Sequence, residues 1–286
     1  MNLLHDVVGP QARRRTAVLE VGGYALLVIL GWVAVARLAA HGELSTRAWE
    51  PFTEPGLWRL LGEGLLNNVR AAAAGMMLSL SLGILLALAL LAPTRAIRWP
   101  ARVLTEFFRS VPLLLLLYFT SLVLPAYGLR LSDFWFLTLA LTVYNMAVIA
   151  DIVRAGVLAL PRGQSEGALA LGFSPFTAMR LVILPQAIRA MSPALVSQLV
   201  ILLKGTALAY VLGGYVELLR SATIVGQYFT RSALQALMVA AVLFMLVNLA
   251  LSGLARLLER RQRRRYGLHT VARAGVELAT VPAVTR

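Results

Sequence analysis

Several polar side chains lie inside apolar stretches of this sequence. They are better suited to binding a ligand than to covalent catalysis. Lys204 lies deep in an apolar run, eleven residues beyond Pro193, which is about 16 Å along a helix. An ammonium group is costly in such surroundings and is therefore a functional candidate. One interpretation is that Lys204 contacts a substrate carboxylate or forms a gate. The other is that it bonds carbonyl oxygens where a helix is interrupted near Gly205.

Uncharged polar residues are a second group of candidates for a substrate path: Asn68, Asn145, Gln198 and Thr206. Polar groups away from water seek partners, and in a helix bundle they commonly join one helix to another. For the amide side chains we therefore favour hydrogen bonds between helices over ligand contacts. Glu217 and Arg220 stand three residues apart near an outer end, where they either meet a docking protein or pair with each other.

The sequence contains no arrangement of residues suited to covalent catalysis. It has no cysteine, which excludes thiol chemistry and a disulfide framework. Its apolar runs hold no paired catalytic residues, which disfavours an intramembrane enzyme. An ion-coupled transporter or channel would need Asp, Glu or His within its spans, where only Lys204 and Arg37 are ionisable. We expect a non-catalytic protein with no metal site.

The apolar stretches that hold these residues have the length of membrane spans. Of 286 residues, 59% are hydrophobic and 14% charged, a balance typical of a polytopic membrane protein. A helix crosses the hydrocarbon core with about 20 mostly apolar residues, and long unbroken runs favour helices over a barrel. The sequence predicts six transmembrane helices, at residues 21–40, 71–94, 110–129, 134–150, 190–216 and 232–255.

Three of these spans carry more detailed expectations. Ala, Gly and Ser are frequent in the second span, which predicts close packing inside the bundle. The third span begins near Glu106, with Pro112 tolerated close to its start. The fourth ends at Asp151, and Arg154 follows on the same helical face, which we interpret as a surface ion pair.

Basic residues are concentrated on one side of the predicted membrane. With the N-terminus inside, the inner segments 1–20, 93–109, 151–189 and 256–286 hold nineteen Lys/Arg and seven Asp/Glu, whereas the outer segments hold seven and six. This positive-inside bias predicts that both termini are cytoplasmic. The same bias accounts for the net charge of +14, so this charge does not indicate binding to nucleic acid. We interpret the basic cluster at 260–265 as an anchor beside anionic lipid.

The inner segment 151–189 contains signals for two short helices. Pro161 suits the first turn of a helix, and Gly172 suits the left-handed position that ends one. Ser174 and Pro175 are typical of the cap and first residue of a second helix, which we expect to end or kink near Pro185. A rigid elbow of this kind can transmit force from a partner.

This segment resembles the EAA loop of the membrane subunits of ATP-binding-cassette importers. The family motif is Glu-Ala-Ala, three residues, Gly, nine residues, Ile, one residue, Leu-Pro. The chain matches it at Glu166, Ala168, Gly172, Leu184 and Pro185, and departs from it mildly at Gly167 and Val182. The resemblance implies a coupling helix seated in a cleft of a separate ATPase, with these coupling residues: Pro161, Gly163, Glu166, Ala168, Leu169, Gly172 and Pro185.

Further motifs extend the resemblance over roughly residues 60–258 to permeases for polar amino acids. These motifs begin at Glu106, Asp151, Leu160 and Leu203. The stretch from Pro185 to Gln198 and the extra first helix are similar to glutamate permeases of actinobacterial type. Gly205 stands where the family usually has Asp, so the lysine–aspartate pair of the family is not expected here.

The resemblance implies an all-α integral membrane fold with a five-helix permease core, one extra N-terminal helix and a cytoplasmic coupling helix. The expected parts are a cytoplasmic tail at 1–20, the extra helix and an outer loop at 21–64, and the permease domain at 65–258. The coupling loop occupies 151–189 of that domain, and a basic cytoplasmic tail at 259–286 is expected to be disordered at its end.

The function implied is that of a permease subunit in an ATP-driven amino-acid importer of a bacterial plasma membrane. The expected partners are an ATPase subunit that binds the ATP, a second permease, identical or homologous, and an extracytoplasmic solute-binding protein. The chain itself is expected to bind no cofactor and no nucleic acid. Glutamate or aspartate is the expected substrate, and glutamine, arginine or histidine are the alternatives.

Overall fold

A computed structural model describes residues 10–265, and every regular element in that range is helical. The α-helices in chain order are α1 (Pro10–Ala40), α2 (Thr46–Trp49), α3 (Pro55–Leu90), α4 (Arg95–Ser110), α5 (Leu113–Tyr118), α6 (Leu124–Ala126), α7 (Asp133–Leu158), α8 (Arg162–Ala170), α9 (Pro175–Ala178), α10 (Leu184–Thr206), α11 (Leu218–Tyr228) and α12 (Ala233–Arg265). Two π-turns, Phe119–Val123 and Met179–Ile183, join α5 to α6 and α9 to α10. Three 3₁₀ segments complete the set: Glu50–Thr53, Ala207–Leu212 and Thr230–Ser232.

The predicted all-α membrane fold is confirmed. Five helical stretches are long and apolar enough to cross a membrane, and there are six if one sharply bent pair counts as a span. The five are Leu19–Ala40, Pro55–Leu90, Asp133–Leu158, Pro175–Leu212 and Thr230–Arg261. Residues 1–9 and 266–286 of the two predicted tails lie outside the described residues.

The outer loop ends earlier than predicted, and the first helix is separate from the bundle. The outer loop expected to reach residue 64 ends at Glu54, because Pro55 starts α3 and needs no amide donor in the first helical turn. The apolar window of α1 is not buried by any other part of the described chain. The extra N-terminal helix therefore stands apart from the packed bundle.

The third predicted span is broken, contrary to the expectation of one helix over 110–129. α4 and the stretch Leu113–Ala126 meet at an angle of 98°. Val111 and Pro112 form the bend in extended backbone, because a proline disfavours the helical conformation of the residue before it. Glu106 consequently lies in α4, before the bend, and the stretch after the bend is about 21 Å long.

A ridge of small residues on α3 brings this helix close to α7. The ridge is formed by every fourth residue, and all five are buried: Ala71, Gly75, Ser79, Gly83 and Ala87. A Cβ atom at Gly83 would lie only 2.7 Å from Ile149 Cγ2 and 3.0 Å from the carbonyl oxygen of Met146. The close packing predicted for the second span is confirmed, because only small side chains let two helices approach this far.

The remaining helices complete the bundle around α3 and α7. Leucines of α5, α7 and α10 are almost fully buried beside the ridge: Leu117, Leu137, Leu141, Leu202 and Leu203. α11 packs on the first half of α3 and on α12 through a separate cluster: Leu57, Leu61, Leu218, Val225 and Ala236.

Replacing Gly83 with leucine is expected to lower the thermal unfolding midpoint of the purified protein. The larger side chain meets Ile149 and a backbone carbonyl of α7, and overpacking of this kind costs about 1–3 kcal/mol. Gly62→Leu is the matched control, because a Cβ atom at Gly62 meets nothing within 4 Å on the same helix. An equal midpoint for the two variants would contradict the assignment of the ridge as the α3–α7 contact.

Candidate functional site

The predicted coupling loop begins with α8, a nine-residue helix with a defined end at each side. Pro161 immediately precedes it in extended backbone. At the other end Gly172 has a φ of 83°, in the left-handed region that favours glycine. The amide of Phe173 donates to Ala168 O at 3.2 Å and that of Gly172 to Leu169 O at 2.9 Å. This pair of bonds is a Schellman motif, so the predicted helix end at Gly172 is confirmed.

The second helix of the loop continues into a membrane span. Ser174 caps α9 by accepting from the amide of Thr177 at 3.2 Å, as predicted. We expected this helix to end or kink near Pro185; it does not end there, because the chain stays helical from Pro175 to Leu212, but it is irregular just before that residue. The π-turn Met179–Ile183 precedes Pro185 and accommodates a residue that has no amide hydrogen for the regular helical ladder.

Contacts on one face hold α8 against the start of α10. Ala168 is 4% exposed, and the side-chain amide of Gln186 donates to Gln164 Oε1 at 3.1 Å. The sequence interpretation missed this bond between two glutamines, although both stand in the motif region. This face of α8 therefore fixes the loop relative to the span that begins with α10.

The opposite face of α8 is open. Glu166 and Leu169 are exposed, and Cβ atoms added at Gly163 or Gly167 would meet nothing within 4 Å. Two further apolar side chains that the sequence interpretation did not single out, Leu171 and Phe176, are 79% and 70% exposed at the ends of the two short helices. A carboxylate beside exposed apolar groups and small residues makes this face suitable for docking a protein.

The uncharged path candidates are buried and cross-link the helices. Asn68 of α3 donates to Thr206 Oγ1 of α10 at 2.8 Å and accepts from the amide of Leu218 at 3.0 Å. Gln198 of α10 donates to Asn145 Oδ1 of α7 at 2.6 Å. The favoured interpretation of these amides, hydrogen bonds between helices, is confirmed. Their role as substrate contacts stays a prediction.

Lys204 differs from these residues because its side chain is exposed in the single chain. It lies in the last turn of α10, where the α-helix gives way to the 3₁₀ segment Ala207–Leu212 and then to Gly213 with a φ of 76°. The expected interruption of the helix is present. Among residues 10–265, however, no carbonyl or carboxylate bonds the ammonium group. The interpretation that Lys204 bonds carbonyl oxygens of a broken helix is therefore wrong within this range.

Glu217 and Arg220, the candidates for a docking surface, have different environments. Glu217 is 1% exposed and caps α11, accepting from the amides of Leu219 and Arg220 at 2.7 Å each. Burial raises the pKa of its carboxyl group, and these hydrogen bonds oppose that rise. The carboxylate is thus committed to the helix cap and is inaccessible for docking. Arg220 is half-buried, and its guanidinium lies 5.9 Å from the centre of the Tyr210 ring.

The expected ion pair between Asp151 and Arg154 is wrong. Asp151 of α7 pairs instead with Arg109 at the end of α4, because the bend after α4 brings that guanidinium to the carboxylate. Both side chains are partly exposed, so the pair contributes little to stability. Arg154 lines a small cavity of about 70 Å³ between α4 and α7, together with Arg98, Arg102 and Glu106.

Comparisons with known proteins agree with this arrangement. Residues 79–264 match the family model described as binding-protein-dependent transport system inner membrane component. The chain is 37% identical over 230 residues to the glutamate transport system permease protein GluD of Corynebacterium glutamicum, covering 79% of this chain and 84% of the relative. It is 34% identical over 208 residues to the probable glutamine ABC transporter permease protein GlnP of Bacillus subtilis, covering 71% and 93%.

A solved structure gives the same result at the level of the fold. The crystal structure of an amino acid ABC transporter with histidines superposes with a TM-score of 0.65 at 30% identity, covering 71% of this chain and 94% of that one. The matched region includes the small-residue ridge from Ser79 onward, the loop with α8, and α10 with Lys204. The chain belongs to the inner membrane component family of binding-protein-dependent transport systems, and it is a non-catalytic permease subunit of an ATP-binding-cassette amino-acid importer.

Proposed function

We propose that this permease imports glutamate or aspartate, with its energy supplied by an ATPase docked on α8. The single observation that carries the substrate assignment is Lys204, an exposed cation in a span with no partner among the described residues of the chain. One relative, 37% identical to this chain, is named as a glutamate transport permease. The alternative substrates are glutamine, arginine and histidine. For glutamine, a relative of similar identity is named as a probable glutamine permease.

Coupling to the ATPase is supported by the two faces of α8. Gln164 and Ala168 attach the helix to the start of α10, while Glu166 and Leu169 face outward. Because α9 runs through a π-turn into α10, a displacement of the docked loop reaches this span without crossing a flexible linker. The ATPase binds and hydrolyses the ATP, and this chain supplies the path.

The orientation follows from the distribution of charge. The loop with α8 lies on the side where basic residues outnumber acidic ones by nineteen to seven. This side is the cytoplasm by the positive-inside rule, which places both termini there and the loop 41–54 outside. An extracytoplasmic binding protein then approaches the outer segments, where Arg220 remains a candidate contact.

A second permease subunit, identical or homologous, completes the path. A lysine exposed to lipid within a span is costly, so Lys204 requires a water-filled path or another protein surface. The exposed side of α10 around Lys204 therefore faces the partner permease. Between turnovers the ammonium group is hydrated, and during transport it contacts a carboxylate of the amino acid.

Reversing the charge of Glu166 is expected to abolish docking of the ATPase. Glu166→Arg places a cation on the exposed face of α8 and leaves the buried contacts of Ala168 intact. Copurification of an affinity-tagged permease with its ATPase measures the effect. Glu63→Arg, an equally exposed reversal on the outer part of α3, is the control. Transport that continues with no ATPase bound would exclude this mechanism.

A panel of amino acids should separate the proposed substrates from the alternatives. With the complete transporter and its binding protein in vesicles, glutamate and aspartate are expected to stimulate ATP hydrolysis, because their side-chain carboxylates complement Lys204. The measurement is the ATPase rate with each amino acid and with none. Stimulation by arginine, histidine or glutamine in place of the two acids would show that the substrate assignment is wrong.

Neutralising Lys204 is expected to reduce uptake of the acidic amino acid selectively. A hydrogen bond to a charged group contributes about 1.5–3 kcal/mol, so Lys204→Gln should lower uptake at subsaturating substrate by about tenfold or more. Arg130→Gln removes an exposed charge from an outer loop and serves as the control. If Lys204→Gln transports at the wild-type rate, Lys204 does not contact the substrate, although docking of the ATPase can still be intact.

A further inference from the structure

α4 is amphipathic in a way that neither the coupling loop nor the substrate path explains. One face is apolar and exposed, with Trp99 at 68% and Phe107 at 57%. Ile97, Val103 and Leu104 belong to the same face, at the spacing of a helical stripe. The other face carries all the basic residues of the helix, Arg95, Arg98, Arg102 and Arg109, together with one acid, Glu106, four residues after Arg102.

The basic face is electrostatically unfavourable for the helix by itself. Arg95 and Arg98 stand in the first turn, which holds no acidic residue, and Thr94 provides no side-chain cap. The N-terminus of a helix carries partial positive charge and unpaired amides, so cations there are destabilising and an anion is favoured. This end of α4 therefore lacks a negative partner.

Some arginines of α4 have a partner within the described chain, and others do not. Arg109 pairs with Asp151, and Arg98 donates to the carbonyl oxygen of Ala92 at 3.2 Å. Arg95 and Arg102 are exposed and have no ion pair or hydrogen bond within the part of the chain that the structure describes. An external anion can reach these two guanidinium groups.

The direction of α4 determines what kind of surface it meets. The helix lies at 98° to Leu113–Ala126, and its last turn contacts α7 near the end that leads into α8. Because α4 is nearly perpendicular to Leu113–Ala126, this 16-residue helix lies close to the plane of the leaflet when that stretch runs along the membrane normal. Its apolar face then enters the boundary of the acyl chains, with Trp99 at the interface and the arginines at the headgroups.

We propose that α4 is an in-plane helix that binds the headgroups of anionic phospholipids on the coupling-loop side of the membrane. Arg95 and Arg102 contact the lipid phosphates, and the uncapped N-terminus of α4 adds its partial charge. The separation of apolar and basic faces favours a lipid surface over a protein partner.

Because the chain has no cysteine, a single fluorophore can be placed on the apolar face through Val103→Cys. The full-length labelled protein is put into nanodiscs that contain a minor fraction of dibrominated phosphatidylglycerol or dibrominated phosphatidylcholine. Bromine quenches at short range, so the ratio of quenching by the two lipids measures headgroup preference. We expect at least about twofold more quenching by the anionic lipid, and a ratio near one in R95Q/R102Q.

Three controls make the outcome decisive. The pair R59Q/R130Q removes two exposed charges elsewhere and should keep the preference, as should R95K/R102K, which retains both cations. A fluorophore at Leu27→Cys on α1 reports ordinary lipid contact and should show no preference. A ratio of one in the labelled protein with both arginines, or a ratio unchanged in R95Q/R102Q, would overturn the proposal. Absence of quenching by either lipid would also overturn it, because a protein would then cover the face.

Discussion

The close contact of α3 with α7 is the constraint on which the rest of this structure depends. Lipid tails are as apolar as leucine, so helices in a bilayer gain little from burying apolar side chains against one another. Association must come from dispersion at short range and from hydrogen bonds between helices. The four-residue period of small residues from Ala71 to Ala87 supplies the first. Asn68, Asn145 and Gln198 supply the second by linking α3, α7, α10 and α11.

These hydrogen bonds distinguish the buried amides from Lys204, the residue proposed to contact the substrate. Gln198 donates to Asn145, whose own amide group donates to the carbonyl oxygen of Leu141, and Asn68 bonds Thr206 and the start of α11. Lys204 differs from them because its ammonium group has no partner among the described residues. In the proposed function, a second permease subunit supplies the opposite side of the path that Lys204 faces.

Coupling and transport are joined by one continuous helical stretch. It begins at Pro175 beside α8, passes through a π-turn, and reaches Lys204 near its far end. The Schellman motif at Gly172 and the cap at Ser174 make the connection between α8 and this stretch short and defined. The proposed contact with the ATPase and the proposed contact with substrate therefore lie on elements that are rigid neighbours. The ion pair of Arg109 and Asp151 joins α4 to α7, the helix that leads into α8.

The sequence by itself determined the features that depend on local chemistry or on the length of apolar runs. Gly172, Ser174 and the Gly- and Ser-rich second span predicted a helix end, a helix start and a close contact, because each follows from backbone sterics or side-chain size. The motif at Glu166–Pro185 indicated the family for the same reason, since its spacing reflects one fixed local geometry. Only the tertiary structure decided which groups pair across helices. It placed Arg109 against Asp151, committed the Glu217 carboxylate to a cap, and carried the helix through Pro185. These outcomes depend on where distant segments meet and on a bend of 98°, and the identity of neighbouring residues in the chain does not specify them.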